Sequence, residues 1–125
     1  MSVLSNAYGD LLAELKAALA DSELRVADDI SAAVDASTVV LGPPTFRWEG
    51  MCDPGKPTSM LYDVYLVERA DERAVERLLD LLPDLIDAVL DLGHDTVIEG
   101  DATPAAFPNG STELPAYRFS AETTL

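Results

Sequence analysis

MLYDVYLVERADERAVERLLDLLPDLIDAVLDLG, residues 60–93, joins a strand-like run to a helical period and so sets the fold class. Its first nine residues are apolar at most positions, odd and even alike. Side chains of a strand alternate between two faces, so a strand apolar on both is a central one, covered by helices on one side and by something else on the other. From Asp71 the period changes. Ala74, Val75, Leu78, Leu79, Leu82, Leu85, Ile86, Val89 and Leu90 recur at steps that bring side chains onto one side of a helix. The spacing predicts a helix over 72–92, with Gly93 suited to its C-cap. Pro83 cannot donate to the Leu79 carbonyl and its ring crowds that turn, so a kink or a break into two shorter helices is expected. Full burial of a large apolar side chain is worth roughly 1.5–3 kcal/mol. This helix is therefore the expected main source of core stability, and Leu79→Asp is expected to unfold the domain.

Working outward, residues 38–41 (TVVL) are β-favouring and stop at Gly42, Pro43 and Pro44, after which 45–49 (TFRWE) resume with bulky residues at alternate positions. The pattern is a strand broken by a bend. GMCDPGKPT, residues 50–58, has the glycine and proline content of an exposed loop. Towards the start, Leu4, Tyr8, Leu11, Leu12, Leu15, Ala18 and Leu19 repeat at helical spacing, which predicts a helix over 6–20 capped by Ser5, with Asp10 near the positive end of its dipole. Residues 24–27 suit a short strand, and 28–35 show no clear period. On the far side, 96–99 open another strand and 104–110 are expected as a loop. Tyr117, Phe119 and Ala121 alternate with Arg118, Ser120 and Glu122 in a last half-buried strand. Together these elements predict one α+β domain spanning residues 1–125, with a mainly antiparallel sheet of four to five strands and two helices packed on one face.

The chain has 125 residues, 48% of them hydrophobic and 25% charged, the balance of a folded domain rather than a disordered tail. No apolar run approaches the roughly 20 residues that cross a bilayer, and the start MSVLSNAYGD lacks the layout of a signal peptide, so residence in the cytoplasm and no membrane partner are expected. Cys52 is the one cysteine, which excludes an internal disulfide and fits a reduced compartment. The net charge is −15, from 23 acidic against 8 basic residues. Affinity for a phosphate backbone depends on Lys and Arg, so nucleic acid is not a natural ligand. Such a charge suits a protein that stays soluble, repels passing DNA, or imitates DNA towards another protein.

Residues of catalytic type are present but not in catalytic patterns. His94 stands between Gly93 and Asp95 at a helix end, a position for a cap or a solvated side chain. A metal site from His94, Asp95 and Asp101 lacks ligand spacing. Phosphate-binding glycine loops, nucleophile elbows and His-Glu-x-x-His helices are absent from the sequence. Lys56 alone is too little to lower the thiol pKa of Cys52. The expectation is no catalytic residue, no metal ligand and no cofactor.

Two surface features remain. Glu72, Glu76, Asp80, Asp84, Asp87 and Asp91 follow one another at helical steps along the second helix, and no cation follows Arg77 until Arg118. Asp80, Asp84, Asp87 and Asp91 are thus a candidate acidic face, either solvated, lining a channel, or meeting a basic partner. Trp48 and Met51 flank the start of the 50–58 loop, where large apolar groups can anchor a partner, while Phe46 is better placed in the core. Trp48, Met51, Cys52, Pro54, Lys56 and Phe107 are candidate interface residues, in the 50–58 loop, beside it, or in the 104–110 segment.

PPTFRWEGMCDPGKPTSMLYDVYLVERADERAVERLLDLLPDLIDAV, residues 43–89, resembles the small tail terminator and tail completion proteins of siphophages, particularly those infecting actinobacteria. The resemblance rests on the Gly-Pro-Pro turn at 42–44, the aromatic strand and Gly/Pro loop after it, the apolar strand ending Tyr65-Leu66-Val67, and the leucine-rich helix after Asp71. It implies a sheet with two helices. It also implies a homohexameric ring at the head-proximal end of the virion tail, assembled in the host cytoplasm, whose partners are the major tail tube protein and a head-completion or neck protein. DNA would pass through the ring without specific binding. The resemblance carries no active-site residues to transfer.

Three other readings are weighed. A neck or head-completion protein shares ring assembly and an acidic balance. An acidic inhibitor imitating DNA needs carboxylates at phosphate-like spacing. An enzyme would need acid and base work from carboxylates such as Asp95 and Asp101, and their surroundings give no sign of it.

Overall fold

The computed structural model describes residues 2–27, 37–49, 57–93, 95–109 and 112–125. In chain order the elements are α1 (Val3–Ala18), β1 (Arg25–Val26), β2 (Thr38–Leu41), β3 (Thr45–Arg47), β4 (Ser59–Val67), α2 (Ala74–Leu90), β5 (Thr96–Asn109) and β6 (Thr112–Thr124). The six strands form one sheet in the order β1-β2-β4-β6-β5, with β3 beside β2 on the same edge of β4. Every pairing is antiparallel except β1 with β2. This is the α+β architecture that the periodicities predict, with six strands in place of four to five.

Strand β4 is central. β2 takes the edge at Val64–Val67 and β3 the same edge at Ser59–Leu61, while β6 pairs along the opposite edge from end to end. Between β2 and β3 the Gly42 N–H still donates to the Asp63 carbonyl at 2.9 Å, so the Gly-Pro-Pro bend interrupts one strand without leaving the sheet. Met60, Tyr62, Val64 and Leu66 point to one face of β4. There they pack with Phe119 and Ala121 of β6 against Leu11, Leu15 and Leu19 around α1 and Leu78, Leu85 and Val89 of α2. Both helices therefore cover the same face of the sheet.

The second cover that the two-sided strand requires comes from the β5–β6 hairpin. Four positions along β5, from Glu99 to Thr103, are matched by two along β6, a bulge at which Gly100 takes φ +73°. Bulges bend a strand and sharpen its twist. Beyond this one, Phe107 meets Tyr65 edge-on at 5.6 Å and joins Val40, Val67 and Ala116 in a small core on the face away from the helices.

Several expectations are corrected. α1 begins earlier than 6–20 suggests, because Ser2 and not Ser5 is its cap: the Ser2 hydroxyl accepts from the Ser5 backbone N–H at 3.0 Å. α2 is one helix of 17 residues that continues through Pro83. Pro83 and Leu79 both lie on the exposed side, so the lost hydrogen bond frees a carbonyl that water can reach, and the buried face is undisturbed. Residues 104–109 are strand rather than loop. Pro104 and Pro108 sit in β5, the last strand of the sheet, and their even spacing turns both nitrogens to one side, where an edge strand has no ladder bond to lose. Leu79 is 50% exposed and is not part of the core. Residues 28–35 and most of the 50–58 loop lie outside the described residues.

The C-cap of α2 is Asp91 and not Gly93, which follows two residues on with φ +64°, and a methyl group built there would lie 2.6 Å from the Thr123 side chain. A left-handed non-glycine residue costs about 1–3 kcal/mol, and the collision adds to it. Gly93→Ala is therefore expected to lower the melting temperature clearly, read by circular dichroism. In the same assay Leu85→Ala should cost about 2–5 kcal/mol, while Leu79→Ala should cost less than about 1 kcal/mol, because only Leu85 leaves a cavity. Equal losses at positions 79 and 85 would show that the helix is rotated from the orientation described.

Candidate functional site

The junction between β4 and α2 holds the densest charge cluster among the described residues. Glu68 directly follows β4 and is 2% exposed. Its carboxylate accepts from the Ser37 hydroxyl, at the entry to β2, and from the Arg69 backbone N–H at 3.1 Å. Arg77, in the second turn of α2, brings Nε to 3.5 Å from Glu68 and donates from Nη2 to Asp71 at 2.8 Å. The Glu68 contact is a charge contact rather than an aligned hydrogen bond, since the buried Nε of Arg77 makes none. Asp71 in turn accepts from the Arg73 backbone N–H at 2.8 Å, a side-chain cap on the turn that leads into α2. Sequence reading missed this cluster. Its one visible signal was an acid at the end of a strand otherwise apolar on both faces.

The cluster fixes the angle at which α2 leaves the sheet. Each carboxylate is met by a guanidinium or a backbone N–H, an arrangement that locks a turn. A second polar chain crosses the core. The Tyr62 hydroxyl lies 2.8 Å from Thr123 Oγ1, which lies 2.8 Å from Thr96 Oγ1, and Thr96 donates to the Leu92 carbonyl at 2.6 Å. Burial pushes the Tyr62 phenol above its ordinary pKa, so it stays protonated and serves as a link between β4, β6, β5 and the end of α2.

The residues singled out from sequence fall in different places. Trp48 follows β3 and is 45% exposed, while Phe46 is half-buried against the main core. Met51, Cys52, Pro54, Lys56 and His94 lie outside the described residues. Phe107 is 3% exposed, so its ring fastens the hairpin to β4 and is not offered to a partner by this fold. Asp95 and Asp101 are both exposed, and no group of three or more possible metal ligands occurs among the described residues. Asp80, Asp84, Asp87 and Asp91 are all exposed along α2, and the last turn of that helix has no basic residue.

One groove of about 370 Å³ lies between α1 and the end of the sheet, lined by Val3, Leu11, Glu14, Pro57, Met60 and Leu125 among others. Glu14 reaches across its rim to accept from the Gly93 N–H at 3.0 Å, tying α1 to the end of α2. The groove walls are mainly aliphatic. No helix among the described residues is long and apolar enough to cross a membrane.

The chain matches no family model and no curated protein. Among the described residues the surface carries an exposed tryptophan and an acidic helix face with exposed apolar residues beside it, and buried polar links hold the frame.

Asp71 provides a pH test of the junction. Arg77 first, and the Arg73 backbone N–H second, hold its carboxyl below the usual carboxylate range. A lowered folded-state pKa adds stability that is complete above the unfolded value of about 3.9 and is lost as pH falls through the folded value. Asp71→Asn is thus expected to melt below the parent at pH 7, with the gap closing as both are acidified below about pH 4. A gap that persists unchanged to pH 2 would show that the carboxylate charge is not what stabilises the turn.

Proposed function

We propose that this chain is a structural subunit of a siphophage particle, forming a homohexameric ring that terminates the tail tube and joins it to the head. The observation that supports this best is the combination of fold and resemblance: residues 43–89 resemble the tail terminator group, whose implied fold is a sheet with two helices. The described fold is a sheet of that kind, with both helices on one face.

Ring formation asks for exposed apolar groups on a folded subunit, and Val3, Trp48 and Val97, all away from α2, are such groups. In this role the neighbours are other copies of the chain, the major tail tube protein and a head-completion or neck protein, at the head-proximal end of the tail. The role is architectural, with no catalytic step. The excess of 23 acidic over 8 basic residues suits a ring through which DNA passes, since a repulsive wall keeps the phosphate backbone from sticking.

Deleting the gene from its phage and imaging the particles by electron microscopy tests the proposal. Abnormally long tails are the expected outcome. Tails of normal length lying apart from filled heads would replace termination with a neck function, and unaltered particles would overturn a structural role and favour an acidic inhibitor.

A further inference from the structure

The residues of α2 fall into two apolar rows rather than one. Ala74, Leu78, Leu81, Leu85 and Val89 form the inner row, in which all but the half-buried Leu81 are buried. Val75, Leu79, Leu82, Ile86 and Leu90 form an outer row with the same spacing, one residue on and so about 100° round the helix. Leu82 and Ile86 are half-buried at the shoulder of the core, while Val75 and Leu90 are 57% and 44% exposed and Leu79 is exposed to a similar degree. The row runs about 22 Å along the helix, at 1.5 Å per residue. Single exposed apolar side chains are ordinary on a surface, whereas a contiguous row of this length marks a contact surface.

Beside the outer row, on the side away from the sheet, lie Glu76, Asp80, Asp84, Asp87 and Asp91, all exposed. The face is thus an apolar rail with an acidic border. The border decides what can cover it. A second α2 laid against the first would bring two acidic borders together, with little basic charge to relieve them. Arg77 is engaged by Glu68 and Asp71, and Arg73 already lies 4.0 Å from Glu76. Nucleic acid and anionic lipid are repelled by the same carboxylates. A channel wall is equally ill suited, because it would hold Leu79 and Leu90 against water.

We propose that the outer face of α2 is a docking surface for a basic amphipathic segment of another protein, one carrying an apolar row flanked by lysine or arginine. Its leucines would cover Val75, Leu79, Leu82, Ile86 and Leu90, and its cations would face Asp80, Asp84, Asp87 and Asp91. This inference does not depend on the ring. It assigns the acidic face to a partner rather than to a DNA channel.

The test uses the full chain and a fluorescein-labelled amphipathic peptide of leucine and lysine, with a leucine and glutamate peptide of equal length as its counterpart, followed by anisotropy. The lysine peptide should bind and the glutamate peptide should not. The double substitution Leu79→Ser with Leu90→Ser, and separately Asp80→Asn with Asp87→Asn, should each weaken binding by about tenfold or more, a change well above the error of such titrations. Glu99→Gln with Glu113→Gln removes the same charge from exposed positions on the β5–β6 hairpin and should leave the affinity in place. All these side chains are exposed, and circular dichroism confirms folding of each variant. Equal weakening by the hairpin pair and the helix pairs would overturn the proposal in favour of general acidity. Binding of both peptides would reduce the face to unspecific stickiness. Self-association of the parent that Leu79→Ser with Leu90→Ser abolishes would assign the row to a second copy and overturn it.

Discussion

Both edges of β4 are consumed by backbone pairing and both of its faces carry side chains that water cannot be allowed to reach. That double demand organises the molecule. On one edge β2 and β3 divide the strand between them around the Gly-Pro-Pro bend, and on the other β6 runs its full length. On one face Met60, Tyr62, Val64 and Leu66 meet the two helices. On the other, Tyr65 and Val67 are covered only because the hairpin bulges after Glu99 and brings Phe107 over them. Glu68 then converts the end of this strand into an anchor. A nearly fully buried carboxylate that lost Arg77 would be left as an uncompensated charge, so the angle between sheet and α2 is held by the cost of breaking the pair rather than by its intrinsic strength.

The central strand, both helices and the α+β class were legible because apolar periodicity reports burial directly. The failures came where local chemistry points one way and position in the fold points another. Pro104 and Pro108 argue for a loop anywhere except on an edge strand, and only the topology shows that β5 is the last strand. Pro83 argues for a break, but it falls on the exposed side of α2, where little is lost. Leu79 is indistinguishable from Leu78 by composition. Two apolar rows one residue apart both fit a helical period, and which of them faces the sheet depends on how Arg77 and the turn at Asp71 set the helix down. Phe107 looked available because its neighbours looked like a loop; once they are strand, its ring has a place over Tyr65. The acidic row and the exposed Trp48 were legible because neither depends on long-range pairing.

The proposed role rests on the surface of this molecule rather than on a pocket. The buried polar groups are spent on holding elements together, as in the chain from Tyr62 through Thr123 and Thr96 to the Leu92 carbonyl. What faces outward is mostly negative charge together with apolar groups placed beside it, notably along α2 beyond Arg77. In the proposed role a large net negative charge would disfavour unintended pairing, while the apolar row would supply the attraction to a partner of opposite charge. A protein that adds to one end of a growing structure has use for both properties.

The most direct measurement is a cryo-electron microscopy reconstruction of the head–tail connection in particles of the siphophage proposed to encode this chain. The expected result is a six-fold ring between tail tube and neck, into whose density the six-stranded sheet and its two helices fit six times. A connection at that level built of other folds, with no room for this sheet, would contradict it.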